Sequence, residues 1–206
     1  MASDAPRDHS VFVSAATAFA DLVALIPATA WDGPGLGDWD LRALVGHTSR
    51  SLITVSSYLR TPADREDVTG PAHYYALMRG YAAGSPDIVE RGREAGRNLG
   101  TDPAATVAEL LRQVLTDLDG AGDPLIAVVG GLGIRLSNYL PTRVFELTVH
   151  SLDIARAAGI DLTLPEEALR DATVLAAQIA ALTGQAAAVL PALTGRGGLP
   201  AGFSVV

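Results

Sequence analysis

Four side chains between positions 143 and 153 are the ones best suited to chemistry. Arg143, Glu146, His150 and Asp153 stand at i, i+3, i+7 and i+10, so on a helix they form one narrow polar stripe. Glu146 and His150 are one turn apart, separated by about 40° around the axis. A carboxylate and an imidazole at that spacing can converge on one ion, as pairs of this kind do in the cores of metal-binding bundles. Two ligands from one turn make an incomplete site, so a third has to come from another helix. The same stripe also fits the solvent face of an amphipathic helix, with Arg143 and Glu146 as a surface pair. The opposite face carries Thr148, Ser151 and Ala155, and hydropathy does not choose which side is buried.

Three further histidines are present. His9 lies at the N-terminus and His73 near a loop. His47, in Gly46-His47-Thr48, lies beside the apolar stripe of a well-capped helix and by itself reads as a histidine at the core boundary. Gly46 leaves room for another backbone to come close. The chain has no cysteine, which excludes disulfides, zinc ribbons and a protein thiol nucleophile. Any thiol in the chemistry must be a small molecule.

Helices account for nearly all of the elements that would hold these residues. Apolar positions from Val11 to Ile26 recur at helical spacing. A second helix opens with Asp40 as its cap and Trp39 positioned to staple onto Leu44; its core stripe is Leu41, Leu44, Val45, Leu52, Val55 and Leu59. Shorter helices are expected over Ala72–Ala82 and Pro86–Asn98, the second capped by Ser85 with Pro86 in its first turn. Asp102-Pro103 starts another, running to about Asp119. Leu125 to Gly133 reads as a tight crossover; Gly131 and Gly133 give G-x-G, but Leu136 occupies the third glycine position and no strand–helix alternation surrounds it. Pro141 is expected to begin a long helix through Ala158, stopped by Gly159. Thr163 and Glu166 suggest a capping box for a last helix ending near Leu182. No strand or repeat is expected. The fold class is all-α, a four-helix bundle with additional short helices, a C-terminal helix and a tail. It forms one domain over residues 1–206, with a core of about 11–183 and a tail at 184–206.

The net charge is −8 with no basic cluster, which argues against a nucleic-acid surface. All 15 cations are arginine, a composition typical of a GC-rich bacterial genome. The N-terminus lacks the basic-then-apolar order of a signal peptide. Residues 172–195 are uncharged and long enough to span a bilayer, but Gln178, Thr183, Gly184, Gln185 and Pro191 interrupt them. A buried helix followed by a loop fits better, so no membrane partner and a cytoplasmic location are expected.

The stretch from Leu36 to His47, LGDWDLRALVGH, resembles the tryptophan-to-histidine signature of the DinB-like superfamily. More narrowly, it is similar to the N-terminal domain of mycothiol-dependent maleylpyruvate isomerase. Arg143-x-x-Glu146-x-x-x-His150-x-x-Asp153 resembles the second signature of that group, in the right order, and the similarity covers roughly Val11 to Gly159. The resemblance implies a four-helix bundle and a divalent metal, usually taken to be zinc, on His47, Glu146 and His150. It also implies a mycothiol-dependent enzyme. The isomerase itself continues into a second small domain, whereas here a helix and a tail use up the residues after Gly159. The ending from Leu193 to Pro200 resembles shorter actinobacterial relatives of unassigned activity, so maleylpyruvate is not the expected substrate.

Two imidazoles and one carboxylate leave coordination positions open, as in a catalytic zinc site, and they also accept nickel or iron(II). A thiol reaching the metal loses its proton. The leading expectation is therefore a transferase or isomerase in which mycothiol, or a similar thiol, attacks a small electrophilic substrate. Asp153 is the candidate for orienting a ligand; Arg143 is the candidate for pairing with Glu146 or binding a substrate carboxylate. For both, a plain helix-surface charge is the alternative. Two other functions stay open: a hydrolase with metal-activated water, and a helical interaction module with a vestigial site. A homodimer is among the expectations, because members of the group are often dimers.

Overall fold

In the computed structural model, which describes residues 9–82 and 87–206, helix α1 (Ser10–Ala24) buries Phe12, Ala15, Ala16, Phe19, Leu22 and Val23. The buried stripe thus centres on Phe12, Ala16 and Phe19, slightly rotated from one through Val11 and Ala18. Helix α2 (Leu41–Tyr58) starts where its cap predicts: the Asp40 carboxylate accepts the Ala43 N–H at 2.7 Å. Leu41, Leu44, Val45, Leu52 and Val55 are all buried. Helices α3 (Pro71–Ala82) and α4 (Asp87–Asn98) follow; Ser85 and Pro86 lie outside the described residues. Asp102 caps α5 (Pro103–Leu118) through the Ala105 N–H at 3.0 Å, with Pro103 in the first turn.

Residues 125–135 depart from the expected crossover. They form a short antiparallel hairpin of β1 (Leu125–Ala127) and β2 (Gly133–Arg135), with Ile126 opposite Ile134. Gly130 and Gly131, at φ 75° and 74°, turn the chain between the strands, a conformation that only glycine adopts at little cost. The loop before α3 completes the ladder, through Ala63 N–H to Leu125 O and Val68 N–H to Gly133 O. A Cβ on Gly133 would lie 1.8 Å from the Arg65 carbonyl oxygen. The glycines that mimic a dinucleotide loop are there for turn geometry and close backbone approach.

The hairpin also moves the start of the next helix. Helix α6 runs Leu136–Ala158, with Pro141 inside it and not at its start. Proline inside a helix forfeits one backbone hydrogen bond, so the residues ahead of it need outside support. Asp123 supplies it by accepting the Ser137 N–H at 2.7 Å, and the Pro124 carbonyl accepts the Leu136 N–H at 3.0 Å. At the far end Gly159, at φ 67°, closes α6 as expected.

Helix α7 (Glu166–Leu182) has Pro165 at its cap position and no side-chain cap. The Thr163–Glu166 box does not form, because Thr163 lies two residues upstream of that position. Glu167 instead accepts a hydrogen bond from Ser14 of α1 at 2.8 Å. The tail, read as a loop, contains α8 (Ala186–Leu193). Gly184, at φ 76°, breaks the uncharged stretch into two helices, and among the described residues no helix is long and apolar enough to cross a membrane.

Helices α1, α5, α2 and α6 pack in a closed ring, each touching the next; α4 lies on α2, and α7 covers α6 and α3. Leu22, Leu44, Leu52, Val114 and Leu147 are among its buried side chains. The architecture is all-α, a four-helix bundle with added short helices and one small hairpin.

Candidate metal centre

Each side chain of the candidate site is fixed by a different element. On α2, Gly46 lets α4 pack directly on the helix: a Cβ there would sit 2.2 Å from the Gly96 nitrogen. Gly96 returns the close approach, since its own Cβ would meet Ala43 at 2.9 Å. One turn earlier on α4, Gly92 makes room for the Trp39 indole, whose Nε1 donates to the Val89 carbonyl at 2.9 Å. The indole lies over the His47 ring, 4.5 Å between centroids. Trp39 thus serves His47, a role beyond the staple that its position suggested.

His47 and His150 meet edge to face, 5.2 Å between ring centroids. On α6, His150 Nε2 lies 3.3 Å from Glu146 Oε2, and His150 Nδ1 lies 3.3 Å from Asp153 Oδ2. The other Glu146 oxygen, Oε1, accepts the Tyr75 hydroxyl at 2.7 Å. His47, Glu146 and His150 each offer one ligand atom, and these atoms lie within 4.8 Å of one another. All three residues are partly buried, so the polar stripe of α6 faces the bundle and not open solvent. His9 and His73 lie elsewhere; His73 Nδ1 sits 3.4 Å from Thr69.

Arg143 makes no ion pair with Glu146. Its Nε donates to Thr142 Oγ1 at 3.0 Å, and its guanidinium lies over Tyr139 at 4.9 Å and Tyr74 at 5.8 Å. It faces a cavity of about 810 Å³ that also reaches His47, Glu146, Arg50 and Tyr58. That volume is within the range of small-molecule sites.

The environment sets the protonation states. Burial, reinforced by the charge of His150, pushes the His47 pKa down to about 4, so its ring is neutral near pH 7. Burial also opposes the charged form of His150, but Asp153 and Glu146 outweigh it and raise its pKa to about 9. For Glu146 burial is again the largest single influence, yet His150, Arg143 and Tyr75 together hold its pKa at about 2. Burial pushes the Tyr75 hydroxyl up, which keeps it a donor. A neutral imidazole, a carboxylate and an imidazole whose second nitrogen is held by Asp153 form a ligand set of the kind divalent metals prefer.

Two comparisons with known proteins, against the curated proteins and against the solved structures, return no match. The third does: the profile of the mycothiol maleylpyruvate isomerase N-terminal domain matches residues 12–155, from α1 almost to the end of α6. The chain belongs to the mycothiol maleylpyruvate isomerase N-terminal domain family. The match spans both signature segments, and the bundle is DinB-like, as the resemblance implied. Within this family member, two neighbours of the triad carry no signal of their own in the sequence. Tyr75 reaches Glu146 across 71 positions of chain. Arg50 is merely one turn past His47, where an arginine on a helix is unremarkable.

Proposed function

We propose that this protein is a divalent-metal-dependent enzyme in which His47, Glu146 and His150 hold one ion, most naturally zinc, and mycothiol or a similar thiol reacts with a small electrophilic substrate. The observation that carries the reading is the convergence of two imidazoles and a carboxylate, drawn from α2 and α6, within 4.8 Å at the edge of a cavity. The donor set fits the ion: nitrogen and oxygen ligands, one histidine already neutral, and fewer than the four ligands of a closed structural zinc. A divalent ion bound there supplies Lewis acidity and lowers the pKa of an incoming thiol.

The remaining roles belong to the chain. Tyr75 pins Glu146 Oε1 and leaves Oε2 turned toward His150. Asp153 holds His150 Nδ1 so that Nε2 faces the triad, the orienting arrangement common around ligating histidines. Trp39 and the α2–α4 contact fix His47. With no cysteine in the chain, the sulfur nucleophile has to come from the cosubstrate. In a conjugate addition the thiol gives up its proton to solvent and its sulfur bonds to one carbon of an activated carbon–carbon double bond; the π pair of that bond moves to the neighbouring carbon, which takes a proton back from solvent.

Elemental analysis of purified protein tests the metal, with close to one ion per chain expected. A screen of electrophiles with and without mycothiol tests the chemistry. Turnover that needs no thiol would replace thiol transfer with metal-activated hydrolysis. Protein that neither contains nor takes up metal would leave a binding module with a vestigial site.

A further inference from the structure

Helices α2 and α6 run antiparallel through the site. His47 meets His150, while Thr54, further along α2, accepts a hydrogen bond at 2.9 Å from Tyr139, further back along α6. Three residues forward from His47 and three residues back from Glu146 therefore lead to the same side of the triad, each by about one turn or 5 Å of rise. Those positions hold Arg50 and Arg143, and both line the cavity.

Neither arginine has a carboxylate partner within salt-bridge distance among the described residues. Arg143 is held in one plane by Tyr139, Tyr74 and its Nε hydrogen bond to Thr142, and its terminal nitrogens make no hydrogen bond to the described residues. Arg79 of α3 lines the same space, and Glu146 is the only acidic side chain among the described lining residues. The surplus of positive charge is local, since the chain as a whole carries −8. Glu146 is shared with His150, so the guanidinium groups, kept partly out of water, are under-neutralised. A planar oxyanion that accepts two N–H bonds offsets the cost of that shortfall.

We infer that Arg50 and Arg143 form an oxyanion subsite one helical turn from the triad, so the substrate is an anionic electrophile with a carboxylate a few bonds from its reacting carbon. The word substrate rests on the proposed function; the subsite does not, because it needs no metal.

The test is calorimetric titration of the full chain, both chelator-stripped and zinc-loaded, with succinate, inorganic phosphate and uncharged succinamide. Succinate is expected to bind the metal-free protein, and succinamide not. Arg50→Gln should weaken succinate binding by at least about tenfold, the loss of one charge-assisted hydrogen bond, and Arg50→Lys should recover part of it. Circular dichroism confirms that the Arg50 variants are folded, which makes Arg50 the informative position even where Arg143→Gln disturbs the tyrosine packing. Equal binding of succinate and succinamide would overturn the inference, as would wild-type affinity in Arg50→Gln or no succinate binding at all. Tighter binding of phosphate with the same dependence on Arg50 would keep the subsite and overturn the choice of carboxylate. Succinate binding that persists in protein unable to take up zinc would sink the metal reading and leave the subsite standing.

Discussion

Helix α6 carries polar side chains on two opposite faces, and the fold treats them differently. On one face Glu146, His150 and Asp153 are partly buried and each has a hydrogen-bonding neighbour: Tyr75, then one another. On the other, Thr148 and Ser151 are 2% and 0% exposed, and neither hydroxyl has a partner among the described residues. The difference follows from magnitudes. A buried charge without a partner is prohibitive, whereas an unsatisfied hydroxyl costs about 1–3 kcal/mol, which a domain can absorb where small side chains let helices pack closely. Order among the charged groups is thus the more telling observation, because the fold has invested residues from α2 and α3 in arranging them.

Replacing a ligand should produce the largest effect. His150→Ala is expected to reduce bound metal from about one ion per chain, the content of a three-ligand site, to background in elemental analysis. Retention of full occupancy would show that the charged face is not a metal site. Next comes Tyr75→Phe, which keeps the ring contacts to Phe145 and Tyr74 but removes the hydroxyl from Glu146. Metal affinity should fall about 10–100-fold in a competition titration with a chromogenic chelator, with little change in fold. An unaltered affinity would mean that Glu146 needs no anchor.

Proton competition is the next smaller effect. His150, with its pKa raised to about 9, holds a proton at pH 7 in the metal-free protein. Metal binding must displace it, so affinity should weaken progressively as pH falls below about 9, with about one proton released per ion; calorimetry in buffers of different ionisation enthalpy measures the release. The sign for stability is the opposite. A histidine whose folded pKa lies above its unfolded value of about 6.5 stabilises the fold fully below that pH and loses the contribution on the way to pH 9. The Tm of metal-free protein should therefore fall across that window, and a flat profile would contradict the paired state of His150. Smallest of all, Thr148→Val removes an unsatisfied hydroxyl at nearly constant shape and is expected to raise stability by about 1 kcal/mol in urea titrations. A clear loss of stability would reveal a hidden partner, such as a bound water, and erase the contrast between the two faces.

What could be read in advance depended on the distance over which the deciding contact acts. Asp40 and Asp102 cap their helices through amides three residues away, so both starts were legible. The start of α6 was not, because Asp123 and the hairpin supply its first hydrogen bonds, and Pro141 is the stronger local signal. The hairpin itself escaped for a related reason: three-residue strands are too short to show alternation, and the loop around Ala63 and Val68 completes their pairing. Thr163 and Glu166 had the spacing of a capping box, yet the chain enters α7 two residues too late to use it.

The same division runs through the site. The sequence alone determined that Glu146 and His150 share a helical face, because 3.6 residues per turn leaves no choice, and its resemblance to a known family nominated His47. The tertiary structure decided that this face turns inward, that α4 clamps Trp39 and α2 through Gly92, Gly96 and Gly46, and that Tyr75 reaches Glu146 from another helix. It also brought Arg50 and Arg143 to one side of the triad, which required α2 and α6 to run antiparallel. Spacing along one helix is local geometry; which side of it meets water, and what meets it from elsewhere, is settled only when the whole apolar surface is buried.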